Sequence, residues 1–110
     1  MGYQASHRFA RISARKVGLV MDMIRGKPLE DVLKMLDFSP LRAAKMVAKV
    51  VRSAMANADE KEADLETLIV TEARANQGPR MRRVFPRSRG SADIHRRPSC
   101  HLVVELAEAK

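Results

Sequence analysis

The sequence predicts an α+β domain in which three amphipathic helices precede two antiparallel strands that run outward into one long hairpin. Apolar residues recur at helical spacing from Ser13 to about Ala58, and apolar runs of period two follow at residues 68–73 and 102–106. Between those two runs the chain carries eight arginines and no lysine, punctuated by Gly78, Pro79, Pro86, Gly90 and Pro98.

The first helix starts at Ser13, a capping residue, and Val17, Val20, Met21 and Ile24 fall at i, i+3, i+4 and i+7. Gly26 suits the left-handed residue that ends it. Pro28 then fits a first helical turn, Glu30 and Asp31 complement the amino-terminal dipole, and Leu29, Val32, Leu33 and Leu36 repeat the spacing as far as Asp37. Ser39 followed by Pro40 reads as a second cap and first-turn pair. It opens the longest periodic run, in which Leu41, Ala44, Ala48, Val51 and Met55 share a face up to Asn57 or Ala58. Beside that face Arg42, Lys45, Lys49 and Arg52 form a basic edge, read either as a solvated surface or as a nucleic-acid contact. Met21, Met35, Met46 and Met55 are in part core filler.

The acids Asp59, Glu60, Glu62, Asp64 and Glu66 follow. General acid-base work needs a carboxylate held in a cleft, whereas closely spaced acids between two elements face water, so this segment reads as a solvated loop. From Leu65 the period changes: Leu68 and Val70 alternate with Ile69, Thr71 and Ala73 as a strand, and Leu102, Val103, Val104 and Leu106 form its partner. The arginine-rich segment between them forms two extended arms meeting near residues 87–91, with Gly90 giving the tip its permissive backbone. Arms of about a dozen residues at ~3.3 Å each reach roughly 40 Å, too far to pack wholly on a body this small. In such a hairpin Arg82 and Arg83 fall roughly opposite Arg96 and Arg97. Like charges across a ladder repel, so an external anion must offset them. Arginine forks bond phosphate bidentately and stack on bases, which suits entry among folded RNA strands. Phe85 is placed to stack on a base, and Met81, Val84 and Ile94 to fill gaps between RNA helices. The opposing reading of this segment is an exposed basic loop without fixed structure.

Composition narrows the function. With 110 residues and 12.3 kDa the chain has room for one modest core, which excludes a multidomain enzyme. Twenty-one Lys and Arg against 13 Asp and Glu give +8 and a pI near 10.4, and imply a polyanionic partner, nucleic acid ahead of an anionic membrane surface. The charge is concentrated: residues 1–27 carry +5, 28–72 carry −3 and 73–101 carry +7. The single Cys100 permits neither an intramolecular disulfide nor a four-cysteine zinc site and fits a reducing compartment. The short run at residues 17–21, stopped by Asp22, is neither a secretory core nor a membrane span, so a soluble intracellular protein without a membrane partner is expected. The acid-free, arginine-bearing start and the Met1-Gly2 with Ser6 pattern match transit-peptide and myristoylation signals only as short patterns that arise by accident. His7, His95, Cys100 and His101 are candidate metal ligands, read more simply as polar strand residues or RNA contacts, so no metal and no cofactor is expected. No Gly-rich phosphate loop or Ser-His-Asp order is present.

Several motifs occur in one order: Arg8-Phe9-Ala10-Arg11-Ile12-Ser13-Ala14-Arg15-Lys16, Ile24-Arg25-Gly26-Lys27, Phe38-Ser39-Pro40 with Ala43-Ala44-Lys45, Ser53-Ala54-Met55-Ala56-Asn57, and Gly78-Pro79 before the arginine-rich loop. Together, from about Tyr3 to Glu105, they resemble the bacterial large-subunit ribosomal protein L twenty-two family. The resemblance implies a single domain over residues 1–110 with three helices packed on a small three-stranded antiparallel sheet. An amino-terminal strand at residues 3–12 would join the hairpin roots, and residues 76–101 would form a long protruding β-hairpin. It implies a structural, non-enzymatic component of the large ribosomal subunit in the cytoplasm. Such a protein binds large-subunit rRNA and neighbouring ribosomal proteins, takes part in assembly, and lines the peptide exit tunnel with its hairpin. Carried over by motif, Arg8, Arg11, Arg15, Lys16, Arg25 and Lys27 become rRNA contacts of the body, and Arg80, Arg82, Arg83, Arg96 and Arg97 those of the hairpin. Arg87, Ser88, Arg89, Gly90 and Ser91 would face the tunnel and the nascent polypeptide. Family members commonly place a basic residue after the tip glycine; here Ser91 stands there and Arg89 precedes it. The other function classes are a small ribonuclease using His95 and His101 as acid and base, and a nucleoid-type DNA binder with the finger in a groove.

Overall fold

The computed structural model describes residues 2–108, the side chains of Met81, Arg83 and His95 excepted. In chain order the elements are β1 (Tyr3–Ala10), α1 (Ala14–Ile24), α2 (Leu29–Phe38), α3 (Arg42–Glu60), β2 (Leu68–Gln77), β3 (Met81–Pro86), β4 (Ala92–Arg97) and β5 (Cys100–Glu108). Strands β1, β5 and β2 form an antiparallel sheet with β5 in the middle, while β3 and β4 form a two-stranded sheet of their own. The fold is α+β, as expected.

The helices follow the apolar spacing. Ser13 caps α1 by accepting from the Lys16 amide at 3.4 Å, and Val17, Val20, Met21 and Ile24 are all buried. Gly26 is left-handed at φ 81°. Its amide donates to the Val70 carbonyl at 2.8 Å while Val70 donates back to Lys27 at 3.0 Å, stitching the end of α1 to β2. Helix α2 buries Leu29, Val32 and Leu36, with Pro28 at the cap itself and the helix ending at Phe38.

The start of α3 differs from the sequence expectation. Its first helical residue is Arg42 and its cap is Leu41, because Ser39 serves the end of α2 instead. The Ser39 amide donates to Leu36, and its hydroxyl accepts from the Leu41 amide two residues on, closing a turn rather than capping a helix. Pro40 also holds the preceding residue extended, at ψ 133°. At its other end α3 continues to Glu60, because Ala58 is still buried and the left-handed Glu62 (φ 60°) provides the stop. The five acids at the end of α3 and just beyond it are all exposed, and Asp64 accepts from the Glu66 amide at 3.1 Å within a short 3-10 turn.

The core lies between the helices and one face of the sheet. Cys100, Leu102, Val104 and Leu106 of β5 are buried with Val17, Met21, Val47 and Val51, and among the described residues no charged side chain is buried. On the other face of the sheet Ser6, Arg8 and Arg74 are exposed, and no described helix covers them. Strand β1 ends at Ala10, short of Ile12, and its pairing with β5 is interrupted by a bulge between His7 and Ala10. No described helix is long and apolar enough to cross a membrane.

The hairpin leaves this body. Pro79 and Pro98 lack amide donors and end the first ladder on both arms, so β3 and β4 pair as a separate ribbon. Gly78 donates to Ser99 at 2.9 Å, and the Ser99 hydroxyl donates to the Pro79 carbonyl at 2.6 Å, bridging the break. Strands β3 and β4 pack mainly on each other. The radius of gyration is 17.1 Å with extents of 64 × 25 × 17 Å, against about 13 Å for a compact chain of this length.

Candidate nucleic-acid interface

The ladder register fixes which charges meet. Arg82 stands directly across from Arg96, as the sequence suggested, whereas Arg83 faces His95 and Arg97 faces Met81. The sequence placed Arg82 and Arg83 only roughly opposite Arg96 and Arg97, and the ladder gives the register. The turn sets the pairing, and Pro86 opposite Ala92 leaves five residues for it. Arg80, Arg82, Arg96 and Arg97 are exposed and make no ion pair with a described residue. The side chains of Arg83, Met81 and His95 lie outside the described residues. Asp93 is the one acid between Gly78 and Ser99, and it is engaged by the Arg87 guanidinium at 2.6 Å. At mid-ribbon Val84 pairs with Ile94, and the two are 65% and 60% exposed, so apolar surface lies between the cationic positions.

At the tip, Ser88–Gly90 form a 3-10 turn closed by Arg87 donating to the Ser91 carbonyl at 2.6 Å. Gly90 is left-handed at φ 74° as expected, and Arg89 before it is also left-handed at φ 62°. With Arg87 tied to Asp93, Arg89 is the tip arginine that makes no ion pair with a described residue.

The cations of the body divide into two groups. Arg8, Arg11, Arg15 and Lys16 are exposed and make no ion pair with a described residue. Arg25 is different: its guanidinium donates to Asp22 at 2.9 Å and to the Ala73 carbonyl at 2.5 Å, so it straps the end of α1 to β2. Lys27 is exposed, with its ammonium 3.8 Å from the Met35 sulfur. On α3, Arg52 pairs with Asp37 at 2.8 Å, while Arg42, Lys45 and Lys49 of the basic edge are exposed and make no ion pair with a described residue.

Folding brings together residues that are far apart in sequence. A groove of about 690 Å³ opens where the hairpin foot meets α1 and α3; Arg11, Lys16, Arg42 and Arg97 line it together with Leu19 and Leu41. Sequence spacing assigned Leu41 to the core face, yet it is 44% exposed because it precedes the first turn of α3. On the open face of the sheet Arg8, Asn76 and His101 line a shallower hollow. There the His101 Nδ1 accepts from the Phe9 amide at 3.0 Å, and the two rings meet edge to face at 4.9 Å. Cys100, the next residue, faces the core on the opposite side of β5, where burial pushes its thiol pKa up. Among the described residues no group of three potential metal ligands lies together.

A basic finger on a small α+β body, with the motifs along it in this order, invites comparison with known proteins. The profile of the family described as Ribosomal protein L22p/L17e matches residues 5–107. The chain belongs to that family. It is 45% identical over 109 residues to the large ribosomal subunit protein uL22 of a Thermoanaerobacter species, covering 98% of each chain. The protein of the same name from Geobacter sulfurreducens is likewise 45% identical over 109 residues, and that from Desulforamulus reducens is 41% identical over 111. Membership makes the chain a structural, non-enzymatic ribosomal protein of the large subunit, found in the cytoplasmic ribosome of bacteria. The ribonuclease alternative is thereby excluded.

Proposed function

We propose that the chain binds large-subunit rRNA chiefly through its hairpin and so contributes to assembly of the subunit. The observation that carries this reading is the Arg82 and Arg96 pair, set face to face with neither in an ion pair with a described acid. Like charges across a ladder cost stability, and rRNA phosphate supplies the missing counter-charge. The chain acts as one unit over residues 1–110, with residues 76–101 entering the RNA. Arg80, Arg82, Arg83, Arg96 and Arg97 contact rRNA along the hairpin, and Arg8, Arg11, Arg15, Lys16 and Lys27 contact it from the body. Arg25 belongs with them only through the face of its guanidinium left by Asp22 and Ala73. Val84 and Ile94 fill apolar gaps between RNA helices, and neighbouring large-subunit proteins border the body.

The tip, Arg87 to Ser91, faces the exit tunnel and the nascent polypeptide. Its small turn and Arg89, in no ion pair with a described residue, suit a wall that a peptide slides past. A sucrose-gradient fractionation of cells expressing tagged protein tests the main reading. The wild-type chain is expected in the large-subunit peak, and the Arg82→Gln, Arg96→Gln double variant is expected to move toward the top of the gradient. A wild-type chain sedimenting free of ribosomal particles would refute the proposal. For the tip, a photocrosslinker at Ser88 is expected to capture a stalled nascent chain, and capture of rRNA alone would move the tip away from the lumen.

A further inference from the structure

Resting on the rRNA reading above, we infer that Phe9 is the stacking platform for one unpaired RNA base on the open face of the sheet. The chain holds three phenylalanines, one tyrosine and no tryptophan, yet Phe9 is 59% exposed. Its backbone is left-handed at φ 60°, a conformation that bulky residues rarely adopt. Such strain persists only where surrounding structure enforces it, and it concentrates at binding sites.

The enforcing structure is visible. Ala5 and Ala10 both enter the core although they lie an odd number of positions apart, so a regular strand would put one of them outside. The bulge between His7 and Ala10 takes up the odd residue. The Phe9 amide, released from the ladder, donates to the His101 Nδ1, and the imidazole meets the phenyl ring at an interplanar angle of 87°. The ring meets His101 and is presented to solvent.

Its surroundings select the ligand. Arg8 and Arg11 lie one and two residues from it along the chain, both exposed and in no ion pair with a described residue. The adjoining hollow, lined by Gln4, Arg8, Asn76 and His101 among others, has no carboxylate in its lining. An aromatic ring for the base, an amide for the base edge and arginines for the flanking phosphates match a splayed single-stranded nucleotide. An apolar protein partner would leave both guanidiniums without a counter-charge.

Because the chain has no tryptophan, Phe9→Trp installs a single tryptophan at this site, excited selectively over the one tyrosine. Titrating the full-length variant with protein-free large-subunit rRNA is expected to quench its emission. The same substitution at Phe38, 88% exposed at the end of α2, should leave emission unchanged. In parallel, Phe9→Leu is expected to weaken rRNA binding by roughly 5- to 100-fold, with Phe9→Tyr close to wild type. The slope of affinity against salt should stay constant, because every phosphate keeps its cation. Unquenched emission while the variant still binds rRNA would overturn the platform and leave the RNA reading standing. Emission that shifts only on adding other large-subunit proteins would assign the face to a protein contact and overturn it too. Failure of the wild-type chain to bind rRNA at all would remove both. If Phe9→Leu does not fold, the fluorescence result decides alone.

Discussion

Gly18 sits in the middle of α1 with ordinary helical backbone and open space where a methyl would go. Gly18→Ala should therefore stabilise the protein by ~0.5–1 kcal/mol, mostly by reducing the entropy of the unfolded chain. Thermal melting is expected to shift upward by a few degrees, and an unchanged or lower Tm would contradict this account. Cys100 is a residue whose chemistry follows from burial alone. Its thiol stays protonated beyond the ordinary cysteine range, so alkylation at neutral pH should proceed only as fast as the domain opens. Modification by iodoacetamide is expected to be slow in the native protein and to become fast in denaturant. Raising the pH should help less than for a free thiol, since opening of the domain and not ionisation of the thiol limits the reaction. At Arg25 the sequence reading was incomplete for a plain reason. Its Asp22 partner lies one helical turn away and is legible, but the Ala73 carbonyl is 48 residues distant.

At the scale of elements, the hairpin is the least self-sufficient piece. Its ladder is separate from the main sheet, Val84 and Ile94 at mid-ribbon are exposed, and Arg82 opposes Arg96. Two consequences of opposite sign follow. Arg96→Glu places an opposite charge across from Arg82, so in the free protein the amides of β3 and β4 should exchange more slowly with solvent. The same substitution should weaken rRNA binding, flattening the salt dependence by roughly 0.7 to 0.9 for each phosphate left without its cation. Slower exchange together with tighter RNA binding would argue against the proposed opposition of roles. Helix α3 shows how an element boundary escapes local reasoning. Ser39 and Pro40 form a proper start signal, but the hydroxyl closes a turn at the end of α2, and the helix waits until Ala43 and Ala44 reach the core.

For the molecule as a whole, the helical layer and sheet supply the stability and the ribbon supplies reach. Leu102 lies in the central strand, fully buried beneath the helices. Leu102→Ala should cost about 2–5 kcal/mol, a large share of the ~5–15 kcal/mol typical of a native domain. Urea denaturation is expected to show a lower midpoint at nearly unchanged slope. An altered slope would point to a change in how much surface unfolding exposes. By the same logic, the hairpin substitutions above should leave this midpoint nearly unmoved, since β3 and β4 bury little against the body.

The sequence by itself determined the three amphipathic helices, the two apolar strand roots, the basic ribbon between them and the family. Each is written locally, as a period, a capping residue or a run of one charge, and needs no knowledge of distant neighbours. Tertiary structure alone decided that Arg25 is a strap, that Arg11, Lys16, Arg42 and Arg97 surround one groove, and that Phe9 is turned outward by a bulge against His101. Those outcomes depend on register and on meetings between segments up to 92 residues apart. Such meetings are settled when the sheet closes over the core, since one strand must absorb the odd residue that the pleat cannot place.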